Sequence, residues 1–189
     1  MQLYKSLIHF GIVGTSIALA SLPARALVIT YTDRAAFLAA LSSSSTDNYN
    51  DLTTGVKPSP LSRTIAGYAY NAQASGNLFS QSSGGSQVLS TSTSQPLTLN
   101  FTVGAPTAVG GYFFNTDVQS NIVNRVITVT ANPGASAQSV LTSSATNFFG
   151  WLDDSGTPFT SLVIHNDAGS YAAVDDLVLG QAAPQALGE

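Results

Sequence analysis

Carboxylates are the one abundant reactive group in this sequence. Nine Asp and a single Glu, Glu189, stand against two His and no Cys. That inventory removes thiol catalysis, disulfide scaffolding and Cys-ligated zinc, and a site with several His ligands cannot be assembled from it. The acidic residues sit in turn-like segments and at the ends of apolar runs: Asp47 and Asp51, Asp153 and Asp154, Asp167, and Asp175 with Asp176. Calcium accepts about six to eight oxygen ligands without strict geometry, so Asp, Asn and backbone carbonyls in such places suit it. The spacing matches no EF-hand.

Two of these pairs read differently. Asp153 and Asp154 precede Ser155 and Gly156, which is the chemistry of a polar β-turn. Asp175 and Asp176 instead interrupt the apolar run from Tyr171 to Leu179. Strict alternation sets Asp175 on the face of Leu177 and Leu179, and Asp176 on the face of Val174 and Val178, so one carboxylate must turn toward the core. A carboxylate there requires a metal ion, a salt partner or backbone amides. Arg34, Arg63 and Arg125 are the available salt partners. The expectation is a structural calcium ion held by Asp51 together with Asp175 and Asp176, with amide capping or an Arg partner as the alternatives.

Catalytic machinery is scarce. Beyond the first 26 residues the chain has one His, His165, and no G-x-S-x-G motif accompanies it; a nucleophile elbow has no place to form. Glycoside hydrolysis would have to use Asp pairs alone. No enzyme is expected. The aromatic residues point elsewhere: Tyr68, Tyr70, Tyr112 and Trp151 lie in or beside apolar alternating runs, where exposed rings would form stacking platforms for sugar rings. Trp151, close to the Asp153 turn, is the first candidate among these four ligand-binding residues.

These side chains need a scaffold, and periodicity supplies it. Leu27 to Thr32 reads as a short strand, and Asp33 can cap a helix running to Leu41 with Phe37 and Leu38 on one face. Ser42 to Ser45 reads as a loop. Alternation takes over afterwards, most clearly in Leu97, Leu99, Phe101 and Val103. Similar runs cover 65–70, 109–115, 125–130, 138–142, 146–151, 159–165 and 171–179, separated by Gly-, Pro- and Asn-rich turns. Short strands at this spacing predict an all-β fold, an antiparallel β-sandwich or jelly roll of lectin-like type with one short N-terminal helix. Few runs reach the length an outer-membrane barrel needs. The Ser- and Gly-rich stretch from Ala72 to Ser94 reads as a long surface loop holding a weak strand.

Composition bounds the rest. With 189 residues, 8% charged and 44% hydrophobic, the chain has enough apolar surface for one core. Residues 1 to 26 carry Lys5, an apolar stretch from Leu7 to Leu22 and a small-residue ending at Ala24 and Ala26, the pattern of a signal peptide. The expected organisation is a leader at 1–26, a sandwich domain at 27–180 and a flexible tail at 181–189. The mature chain would keep four basic residues against ten acidic ones, a net charge of 4 − 10 = −6. Nucleic acid, which is bound by neutralising phosphates, is therefore excluded as a partner, and so is adsorption to anionic lipid. After leader removal no transmembrane segment is expected.

The segments ITYTDRAAFLAAL (Ile29 to Leu41), DNYNDLTTG (Asp47 to Gly55), FFGWLDDSGTPFTSLVIHN (Phe148 to Asn166) and AAVDDLVLG (Ala172 to Gly180) resemble the secreted domains of bacterial proteins that carry a PEP-CTERM sorting tail. The resemblance implies a Gram-negative or cyanobacterial envelope protein with a lectin-like sandwich. It also implies an acidic residue at Asp51 and an acidic closing strand at Asp175 and Asp176. The tail itself differs: after Gly180 the sequence reads QAAPQALGE, without Pro-Glu-Pro, an apolar helix or an Arg cluster. The expected location is secreted, extracellular or periplasmic. The expected function is a non-catalytic binding module for an extracellular glycan or matrix polymer, with an adhesive envelope protein that self-associates through sheet edges as the alternative.

Overall fold

The computed structural model describes residues 27–83, 85–133, 138–142 and 144–184; the expected leader and the last five residues lie outside them. In chain order the elements are β1 (Val28–Tyr31), α1 (Arg34–Ala39), β2 (Leu41–Asp47), β3 (Gly55–Lys57), β4 (Leu61–Ile65), β5 (Tyr68–Gln73), β6 (Leu78–Ser83), β7 (Ser86–Thr91), β8 (Leu97–Val103), β9 (Ala108–Thr116), β10 (Ile122–Val123), β11 (Arg125–Asn132), β12 (Gln138–Thr142), β13 (Phe148–Asp153), β14 (Ser161–Asn166) and β15 (Tyr171–Ala182). They form two antiparallel sheets. The first has the order β1-β13-β9-β15-β7-β6-β3, with β2 added beside β15 and β10 beside β9; the second has the order β12-β11-β14-β8-β5-β4.

Alternation explains how the sheets meet. In β8, Leu97 and Leu99 are buried while Thr98 and Asn100 between them are half-exposed. These leucines join Ile127 and Leu162 of the second sheet and Val109, Trp151 and Leu177 of the first in one continuous core. The all-β sandwich is therefore present, with β8 spanning the residues its pattern predicted.

The outer face of the first sheet is covered as well. Asp33 caps α1 by accepting a hydrogen bond from the Ala36 amide at 2.7 Å, so the helix begins where expected but ends at Ala39. Phe37 points from it into a second cluster with Ala108, Phe148, Leu152 and Val178. Close approach depends on Gly150, where a Cβ would come within 2.7 Å of the Phe37 ring. With the core on one side and α1 on the other, all six residues of β13 are buried.

Three expectations give way. Ser42 to Ser45 is not a loop: it belongs to β2, which pairs with β15 from Leu177 to Ala182. The supposed surface loop between Ala72 and Ser94 contains the hairpin β6–β7, in register from Leu78↔Thr91 to Ser83↔Ser86. Its Leu78, Val88 and Leu89 are fully buried; serines and threonines occupy strand positions whose neighbours supply the apolar contact. The final strand also passes the expected boundary at Gly180, because Gln181 donates from Nε2 to the Gly104 and Ala105 carbonyls and the Ala182 amide donates to Thr107 Oγ1.

Trp151 requires the plainest correction. It is 0% exposed, packed between Phe113 and Phe149 with ring centroids 6.3 and 6.1 Å away. Its nearness to the Asp153 turn misled, since alternation along β13 points it into the sandwich. Trp151→Ala should therefore cost about 3–5 kcal/mol of stability in urea denaturation, as truncation of a buried aromatic does.

Candidate functional site

Polar and aromatic side chains gather in three places: a buried cluster between the sheets and two grooves on the outer face of the first sheet. The buried cluster centres on Arg63 of β4. Its Nε and Nη2 donate to the two oxygens of Asp47 at 2.9 and 2.7 Å, and its Nη1 and Nη2 donate to Asp51 at 2.7 Å each. Tyr70 donates its hydroxyl to Asp47 Oδ2 at 2.8 Å and stands 3.1 Å from the Tyr49 hydroxyl, while Arg63 lies over the Tyr49 ring. Asp47 is 2% exposed. Its charge is thus fully paired, which is what such burial demands. Desolvation pushes the phenols of Tyr49 and Tyr70 well above their ordinary range, so both remain neutral donors.

Asp51 and Tyr70 thereby receive structural roles. Tyr70 is buried, as is Tyr68, and neither offers a face to a ligand. Alternation in β5 had placed both rings on one side, and that side proves to be the interior.

The Asp175–Asp176 pair is resolved by a bulge. Register shifts between Asp175 and Val178 where β15 pairs with β9, and Asp176 takes φ 46°. Val174 and Leu177, three residues apart, consequently both face the inter-sheet core. An added residue of this kind breaks the strict alternation on which the sequence argument rested. Asp176 then lies 3.7 Å from Arg34 Nη2. Asp175 accepts hydrogen bonds from the Ser86 hydroxyl and from the Asp176 amide. Burial pushes its carboxyl above the usual range, against the lowering effect of those two bonds.

The expected calcium ligands therefore do not converge. Asp51 is engaged by Arg63, Asp176 by Arg34 and Asp175 by a hydroxyl and an amide; among the described residues no three His, Asp or Glu side chains gather closely enough to hold a metal ion. The Arg partner and the capped amide, given above as alternatives, are what the structure contains. Asp153 likewise closes a turn, accepting from the Ser155 and Thr157 amides at 2.9 and 3.2 Å. His165 is exposed on β14, opposite Thr128.

The two grooves both mix apolar and polar lining. One, of about 260 Å³, lies among Val56, Phe79, Val118 and Tyr171 with Gln81 and Asp117. Of its polar groups, Gln81 bonds Thr116 and Ser120, and Asp117 accepts from the Gln119 and Asn121 amides and from Asn121 Nδ2, while Thr91 Oγ1 is buried without a partner. The other, of about 430 Å³, lies beside α1 and is lined by Thr32, Asp33, Arg34, Tyr112, Thr146 and Phe148, with Ala35 and Leu38. A row of rings floors it, Tyr112 edge-on to Phe148 at 5.8 Å and Phe148 tilted against Phe37 at 5.5 Å.

Tyr112 is thus the one member of the four expected aromatics that remains half-exposed, and it lines the groove with Arg34, whose Nε is buried without a partner, and with Thr146, whose Oγ1 pairs with Ser144 Oγ. Asp33 and Arg34 were legible as a helix cap and a salt partner. Nothing in the linear pattern joined them to Tyr112, which lies 78 residues further along the chain. The sequence matches no protein-family model, and no curated protein or solved structure matches the chain.

Two outcomes follow from the charges. Arg63→Met leaves Asp47 buried without its cation and should cost about 3–5 kcal/mol in urea denaturation; Asp51→Asn, at the exposed end of the same arginine, should cost less than about 1 kcal/mol. The pH dependence of Asp51 and of Asp175 has opposite sign. Arg63 holds Asp51 below the usual range, so its contribution is present above the ordinary carboxylate pKa and is lost as pH falls through the depressed value. Asp175, being raised, contributes fully below the ordinary value and loses that contribution as pH rises through the elevated one. Asp175→Asn should therefore be more stable than wild type at neutral pH, with the difference closing in acid, as read from melting curves between about pH 3 and pH 8.

Proposed function

We propose that this protein is an exported, non-catalytic module that binds an extracellular glycan or matrix polymer, and that the groove between α1 and the outer face of the first sheet receives the sugar. The observation that carries this reading is the position of Tyr112, a half-exposed ring in a groove with Asp33, Arg34, Thr32 and Thr146 around it. A sugar ring has an apolar face and a rim of hydroxyls, and it is met best by an aromatic platform bordered with donors and acceptors. The leader-like segment at residues 1–26 and the resemblance to secreted envelope domains support the exported setting.

One observation favours the adhesive alternative. Strand β4 is an edge of the second sheet, and its only charged residue, Arg63, is drawn inward by Asp47 and Asp51. That edge therefore lacks the outward charge that commonly blocks strand pairing between copies. Sedimentation that shifts with protein concentration would support it.

Binding to an array of immobilised glycans tests the main reading. Tyr112→Ala should weaken the interaction at least about tenfold, equivalent to about 1.4 kcal/mol, while the melt stays cooperative. Wild-type binding retained in that variant would place the sugar elsewhere.

A further inference from the structure

We infer that the groove beside Tyr112 selects an uncharged sugar with adjacent free hydroxyls and rejects polyanionic chains, a deepening that rests on the glycan reading above. Three polar groups lining it lack their full complement of partners. Arg34 donates no hydrogen bond among the described residues; its Nε is buried without a partner, and Asp176 stands 3.7 Å from Nη2, beyond hydrogen-bond reach. Asp33 accepts the Ala36 amide through Oδ1, leaving Oδ2 without a donor among the described residues. Tyr112 has ring contacts but no hydrogen-bond partner for its hydroxyl among them.

A guanidinium supplies only donors and a carboxylate only acceptors, whereas a hydroxyl is both. Two neighbouring sugar hydroxyls can therefore accept from Arg34 and donate to Asp33 at once, with the ring laid against Tyr112. The carboxylate of a uronate, or a sulfate ester group, could engage Arg34 alone. It would also meet Asp33 and Asp176, which with Arg34 leave the groove at a net charge of −1, on a chain whose formal charge is −4. Like charges at such range oppose binding. The groove volume, about 430 Å³, suits a short stretch or an end of a chain better than a long ribbon.

The test is titration calorimetry of the wild type, Arg34→Met and Tyr112→Ala against neutral polymers (a β-glucan, a xylan, a mannan), a polyuronate and dextran sulfate, in about 50 mM and about 500 mM NaCl. The expected result is binding to a neutral polymer that changes less than about twofold with salt, is weakened at least about tenfold by either substitution, and has no counterpart with the polyanions. Tighter, salt-sensitive binding of the polyuronate or dextran sulfate would overturn this inference and leave the glycan reading standing. Neutral binding that Tyr112→Ala removes and Arg34→Met leaves intact would overturn the role of the guanidinium. Absence of binding to every class would overturn the glycan reading itself. Melting curves of both variants that stay cooperative and wild-type-like establish that losses arise in the groove.

Discussion

A single buried arginine links the two halves of the sandwich. Arg63 enters from β4 in the second sheet and meets Asp47 at the end of β2 in the first, with the Tyr70 hydroxyl a further donor to that carboxylate and the Tyr49 hydroxyl bonded to Tyr70. A charge as enclosed as Asp47 tolerates few alternatives, because any shift of one sheet against the other leaves it unpaired. The Asp47 carboxylate also accepts the Tyr49 amide, fixing a turn in which Tyr49 adopts φ 56°. One ion pair thus sets the relative position of the sheets and the path of the chain between them.

The first sheet is unusual in having both faces covered over part of its width. Around β13 and β9 the inner face meets the second sheet and the outer face meets Phe37 of α1. Toward β7, β6 and β3 the outer face carries only a smaller apolar cluster of Val88, Phe114 and Ala173. The two grooves flank that cluster on opposite sides. Each keeps some polar atoms without a hydrogen-bond partner among the described residues, Thr91 Oγ1 in one and Arg34 Nε in the other.

Local chemistry made part of this legible. The Asp33 cap, the strand from Leu97 to Val103 and the Asp153 turn each depend on neighbours a few residues away, and each is found where the pattern placed it. Features that depend on distant partners were hidden. Strands β6 and β7 carry so many Ser and Gln that only pairing with β15 and β3 explains them. The bulge at Asp176 reverses which residues face inward, and alternation alone has no means of announcing it. Aromatic residues beside strands say nothing about which side of the sheet is wet; Tyr68, Tyr70 and Trp151 turn inward and Tyr112 outward. Asp51 and Tyr70 were singled out for separate roles and meet at one arginine.

Gly150 gives the groove a determinant that no ligand touches. The absence of a side chain there lets Phe37 settle onto β13, and Phe37 in turn fixes how far α1 stands from Tyr112 and Phe148. Across related sequences a larger residue at this position would act as a spacer beneath the helix, widening the cleft above it. The cleft's width would then change from under its floor while every lining residue stayed the same.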